Sequence, residues 1–201
     1  MVRFVIAAAV VVCLAPGMAH GLALPLDAVE TVFGGCADSD CCPDVNVQAG
    51  PMGNWAVYLL INNFDEVAGV QTAFEIDPSW ALLFQLWDCQ GNQVVGTQPA
   101  PPWGPQSGTI ATAFDCVTGG DCIVVGRMQF ISGAAGCVGQ VQSAFPFGTH
   151  IIDCAGRDFQ ITNEECLGRV CIDPEPGHNA CDCKATPVEP ATWGGIKTQY
   201  R

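Results

Sequence analysis

A chain of 201 residues is long enough for one domain with a buried core, or for such a domain and a tail. Its formal charge is −13 with only 7 Lys and Arg, so no basic patch is available to hold nucleic acid or an anionic lipid surface. Charged residues make up only 13%, while 23 glycines and 14 prolines supply turns, which argues against a helical bundle and for a loop-rich all-β fold.

Residues 1–23 read as a secretory leader. Met1-Val2-Arg3 carries the positive charge, Phe4 to Pro16 is the apolar run, and Ala19 or Ala23 closes a small-residue cleavage site. The run is too short to span a bilayer, and no later stretch is long and apolar enough to do so. The mature chain is therefore expected outside the cytoplasm: extracellular, on the cell surface or periplasmic.

Cysteine usage points the same way. Of 13 cysteines, Cys13 falls in the leader. The rest form an even set: Cys36, Cys41, Cys42, Cys89, Cys116, Cys122, Cys137, Cys154, Cys166, Cys171, Cys181 and Cys183. An even set behind a leader reads as a disulfide framework whose connectivity the sequence leaves open. Cys116 and Cys122 flank VTGGD, whose glycines suit a reversal that would bring the two together. Cys166 and Cys171 suit a short closed loop. Cys41 and Cys42 are adjacent, so at least one must reach elsewhere. The rival reading is a zinc site from Cys171, His178, Cys181 and Cys183, but the spacing matches no standard finger.

Residues 24–54 form a loop-rich N-terminal segment. Asp38, Asp40 and Asp44 are weak calcium candidates, without the twelve-residue loop that would make them a site; solvated turn acids are the plainer reading. Residues 55–165 carry the strand pattern. Trp55 to Ile61 is apolar on both faces, as in a central strand. After the polar NNFDE, Val70, Phe74 and Ile76 fall on one face and Gln71, Glu75 and Asp77 on the other, a period of two. This predicts a hairpin with its turn near Asn62–Glu66. Ala81 to Trp87 continues as a strand.

Residues 90–108 form a long loop dense in Pro and Gly, with Trp103 between Pro102 and Gly104. A Trp there can present its ring to a sugar or a partner's pocket, or fold back over the sandwich. Trp80 and Trp87 join it as candidate binding residues. Further strands are expected at Thr109–Asp115, Cys122–Ser132, Val138–Ser143, His150–Cys154 and Asp158–Thr162. The sum is a disulfide-rich antiparallel β-sandwich of seven to nine strands, jelly-roll or immunoglobulin-like. Residues 166–187 are a Cys-rich extension, and 188–201 a tail. There Pro190 opens a short helix with Trp193, Ile196 and Tyr200 on one face and Lys197 and Arg201 near its end.

The stretches VYLLINN, VAGVQTAFEIDPSW and IVVGRMQFISGAAG resemble the cohesin-type domain family over about a third of the chain. That resemblance implies a jelly-roll sandwich that docks other proteins, an architecture shared with some carbohydrate-binding modules. The twelve cysteines depart from the family. The ending TWG-x-I-K-x-x-Y-R, with the GTHIIDC stretch, resembles a set of uncharacterised exported bacterial proteins and brings no activity with it.

Catalytic patterns are sparse. No nucleophile elbow, zinc-protease helix motif or phosphate loop is present, and the mature chain holds only His150 and His178. Glu75, Asp77, Glu164 and Glu165 are the carboxylates that a glycosidase-like reading would need. The leading expectation is an exported, non-catalytic binding or assembly module for an extracellular protein or carbohydrate, with no cofactor. The alternatives are a cell-envelope protein attached through its tail and a carboxylate-dependent hydrolase.

Overall fold

The computed structural model describes residues 24–30, 36, 46–47, 53–91, 93–95, 98–145, 148–172, 177 and 180. The leader, Asp38, Asp40, Cys41, Cys42, Asp44, His178, Cys181, Cys183 and the tail with Trp193, Ile196, Lys197, Tyr200 and Arg201 lie outside them.

Ten strands follow in chain order. They are β1 (Leu26–Glu30), β2 (Asn46–Val47), β3 (Gly53–Ile76), β4 (Trp80–Leu86), β5 (Gln93–Val94), β6 (Thr109–Ser132), β7 (Gly136–Val141), β8 (His150–Ile152), β9 (Asp158–Gln160) and β10 (Arg169–Ile172). The described residues contain no α-helix, only a 3₁₀ turn at Glu164–Cys166. Pairing is antiparallel except between β2 and β10 and at the bridge from Leu24 to Leu167.

The frame is the pair β3 and β6, each of 24 residues. They run antiparallel from Gly53 opposite Ser132 to Ala73 opposite Thr109, with register slips at Leu59/Leu60 and Val67/Gly69. This corrects two expectations. Asn62–Glu66 is not a hairpin turn, and Cys116 and Cys122 are not brought together. The polar stretch NNFDE stays in the ladder and faces the VTGGD stretch: Phe64 lies opposite Gly120 and Glu66 opposite Thr118. Asn63 has φ 57° and Gly119 φ 62°. Left-handed residues need not reverse the chain: here the ladder keeps its register from Asn62 opposite Cys122 to Val67 opposite Val117, between the two slips. Cys116 and Cys122, six residues apart on an extended strand, are separated by roughly 20 Å, far beyond disulfide reach.

The slips fall between the parts of the ladder that serve two layers. In the front layer, β1 pairs with Trp55–Leu59 of β3, the end of β6 pairs on the other side of β3, and β4 lies beyond β6. In the back layer, Ala73–Ile76 pair with β7, Gly69–Gln71 pair with β8, and β10 and β2 extend the sheet beyond β7. The alternation along β3 then explains the core. Trp55, Val57, Leu59 and Ile61 bring the front-layer side chains, with Met128 and Phe130 opposite them; Val70, Phe74, Ile76, Ile110, Val138 and Val170 belong to the back layer. Phe74 meets the Trp87 ring across the layers at a centroid distance of 5.9 Å. Apolar burial of this kind contributes roughly 1.5–3 kcal/mol per large side chain. The result is an all-β, disulfide-rich sandwich.

The proline-rich loop is also part of the frame. Gly104 donates its N–H to the Phe74 carbonyl, and Gly108 accepts from the Phe74 N–H, at 2.9 and 3.0 Å. A Cβ on Gly108 would lie 2.2 Å from the Phe74 carbonyl oxygen, so only glycine permits this approach.

Three crosslinks fall among the described residues. Cys36–Cys89 has a Cα separation of 5.4 Å, Cys116–Cys154 of 5.2 Å and Cys137–Cys171 of 4.2 Å. Cys122 and Cys166 are disulfide-bonded as well. The expected Cys166–Cys171 loop is therefore replaced by a bond across directly opposed residues of β7 and β10. That bond closes 34 residues. Replacing Cys137 and Cys171 together by Ser is expected to lower unfolding free energy by about 2–4 kcal/mol in urea titrations; an unchanged midpoint would show that β10 is held by its ladder alone.

Candidate functional site

The outer face of the back layer carries a groove of about 400 Å³. Its shape follows from one cross-strand row. Glu75 of β3 lies opposite Gly139 of β7, and Gly139 lies opposite Arg169 of β10. An exposed carboxylate and an exposed arginine thus flank a residue with no side chain, and the Arg169 stem lies against it, 3.4 Å from where a Cβ would stand. Cys137 and Val141, on the same face of β7, line the groove further along. The Cys137–Cys171 bond pins β7 to β10 beneath it.

Asp77 forms one end. Its Oδ1 accepts hydrogen bonds from the Ser79 N–H at 2.9 Å and the Ser79 hydroxyl at 2.6 Å, while its carbonyl accepts from the Trp80 N–H at 2.9 Å. This Asx turn is what the D-P-S-W sequence encodes, and it fixes the carboxylate at the groove mouth. Gly136 is required there, because a Cβ would come within 2.8 Å of Asp77 Oδ2. Behind the floor, Gln140 accepts from the Thr72 hydroxyl at 3.2 Å and donates to the Leu24 carbonyl at 2.7 Å, so the sheet beneath the groove is cross-braced.

The tryptophans take other places. Trp80 and Trp87 are 4% and 3% exposed and belong to the core. Trp103 is half-buried and packs edge-on against Phe130 at 6.4 Å between centroids. The sequence offered these rings to a partner; the structure turns them inward, because packing against the core removes more apolar area from water than a loop position would. Of the carboxylates, Glu75 and Asp77 share the groove, whereas Glu164 and Glu165 sit exposed on the 3₁₀ turn and are not among its lining. Gly136, Gly139 and Arg169 escaped the sequence reading. Their roles come from register across three strands, and the only hint was the glycine-rich start of β7.

A second polar cluster lies at the β8–β9 end. Asp153 accepts from the backbone N–H groups of Ala155 and Arg157 and from the Arg157 guanidinium, which also reaches Glu66 at 3.3 Å. His150 is buried, with Nδ1 3.9 Å from Asp158. Among the described residues, no group of three or more His, Cys, Asp and Glu side chains is placed to hold a metal, and no helix is long and apolar enough to cross a membrane.

The fold and groove together define a disulfide-stapled β-sandwich with a glycine-floored sheet face flanked by charge. No protein-family model matches the chain, and no curated protein matches it. Solved structures that resemble it include three from Acetivibrio cellulolyticus. The second type II cohesin module of the adaptor scaffoldin ScaA is 12% identical, with a TM-score of 0.43 over 85% of this chain and 100% of that one. A type II cohesin domain from the cellulosome is 12% identical, with a TM-score of 0.40 over 79% and 95%. A chain of a type II cohesin–X-dockerin complex is 13% identical, with a TM-score of 0.42 over 71% and 92%. At these scores the fold assignment rests on the strand ladder itself.

Burial pushes the Asp158 carboxyl above its ordinary range, and the neighbouring His150 opposes the shift. A carboxyl raised on folding stabilises the fold below its unfolded value and loses that contribution as pH rises through the folded value. Asp158→Asn should therefore raise the urea midpoint at neutral pH. The gain should vanish below about pH 4, where the carboxyl is protonated in both states. A variant less stable than the parent at neutral pH would show that attraction to His150 outweighs burial.

Proposed function

We propose that this chain is an exported, non-catalytic binding or assembly module that docks an extracellular protein or a glycan on the outer face of its back layer. The Glu75–Gly139–Arg169 row carries the reading. A partner's backbone or a sugar ring would lie in the groove beside Gly139, where the Arg169 stem rests, with a carboxylate on one side and a guanidinium on the other to set its orientation. The disulfides support export, since such bonds persist in oxidising compartments. The strongly acidic chain favours a partner with basic groups, which Glu75 and Asp77 are placed to meet. The tail with Trp193, Ile196, Lys197, Tyr200 and Arg201 is proposed as the segment that retains the module at its site of action.

Gly139→Leu separates docking from folding. A Cβ at Gly139 meets only the Arg169 side chain, at 3.4 Å, so the strand accepts it. Its unfolding free energy should stay within about 1 kcal/mol of the parent. Capture of proteins from culture fluid, and binding to an immobilised glycan panel, should fall at least about tenfold for Gly139→Leu and for Glu75→Lys. Equal capture by the parent and both variants would remove the groove from the function.

A further inference from the structure

The free edge of the front layer lies apart from the groove. Among the described residues, β4 pairs only with β6, so its other edge is open. Exposed edges usually carry charge or proline that keeps other strands away. β4 is WALLFQL, without either. A register slip between Leu82 and Phe84 leaves Leu83 as the extra residue, 51% exposed, beside Phe84 at 37%. Ile131, opposite Ala81, is 45% exposed and extends the patch onto β6.

Next to this patch is a buried cation. Arg127 is 2% exposed, and its Nε and Nη1 are shut off from solvent without a hydrogen-bond partner. The guanidinium rests on the Phe84 ring, 4.8 Å from its centroid. Such a contact offsets part of the burial cost, but a buried guanidinium ordinarily meets a carboxylate. Asp27 lies in the same cross-strand row with Tyr58 between them, and its carboxylate makes no hydrogen bond to Arg127 Nε or Nη1.

We propose that the β4 edge is a docking surface for an extended segment of a partner protein that carries one carboxylate among apolar residues. The segment pairs with the free edge of β4. Its apolar side chains cover Leu83, Phe84 and Ile131, and its carboxylate passes the Phe84 ring to the Arg127 guanidinium. Charge complementarity selects this occupant over a second copy. Another copy offers WALLFQL, which has no carboxylate for Arg127, and brings a further charge of −13.

The test uses the full exported chain and fluorescein-labelled synthetic peptides of alternating Val and Thr, with Glu, Gln or Lys at one central position, followed by fluorescence anisotropy. The Glu peptide should bind at least about tenfold more tightly than the Gln peptide, and the Lys peptide least. Arg127→Met should bring the Glu peptide to the level of the Gln peptide, with near-ultraviolet circular dichroism confirming the fold. Leu83→Lys, on the exposed bulge, should weaken all three peptides while Arg127 stays in place. Equal binding of the Glu and Gln peptides, or no binding of the Glu peptide at roughly millimolar concentration, overturns the proposal. A concentration-dependent dimer in sedimentation that Leu83→Lys abolishes also overturns it, by making the occupant a second copy.

Discussion

The backbone ladder between β3 and β6 is the interaction on which the rest depends. Buried main-chain N–H and C=O groups must be paired, and two 24-residue strands pair one another along almost their whole length. The other strands attach to them directly or at one remove: β1, β7 and β8 pair with β3, and β4 and β5 with β6, while β9 pairs with β8, β10 with β7 and β2 with β10. Because the pair continues through both register slips, a single ribbon supplies the centre of both layers. The inner faces then meet without any connection between separate sheets. The loop that pairs with the Phe74 backbone and the Phe74–Trp87 contact are built onto that ribbon.

Much of this was legible in residues. Alternation in Val70–Asp77 and two-sided apolarity in Trp55–Ile61 identified the two halves of β3. What misled was local chemistry with two uses. Asn63 and Gly119 suit a turn, and taken singly each stretch looks like one. Only pairing across the ladder keeps them within strands, and pairing is a long-range fact. The short strands β1, β2, β5 and β10 fell in segments read as loops or extension. Their pairing comes from neighbours already in place, not from their own pattern. Cysteine parity announced crosslinks, but the pairs depend on register: Cys137 meets Cys171 because β7 and β10 align them.

The candidate site was less legible for the same reason. A Trp in a proline-rich loop carries the same letters whether it faces water or Phe130. The groove is made by an absence, Gly139 between Glu75 and Arg169, and those three positions are far apart in the chain. Sequence distance hides a contact that strand order makes direct.

The placement of the cations ties fold to function. The described residues include three basic side chains, Arg127, Arg157 and Arg169. Arg157 is held by Asp153 and Glu66, Arg127 lies under Phe84, and Arg169 stands at the groove. None is scattered on the surface as a solubilising charge, a task left to the acids. In a chain of −13 this makes positive charge a local and positioned resource. Arg157 closes the β8–β9 turn against Glu66 of β3. The other two mark the groove and the open edge, where a negatively charged group would find direct electrostatic complement on a surface that otherwise repels it.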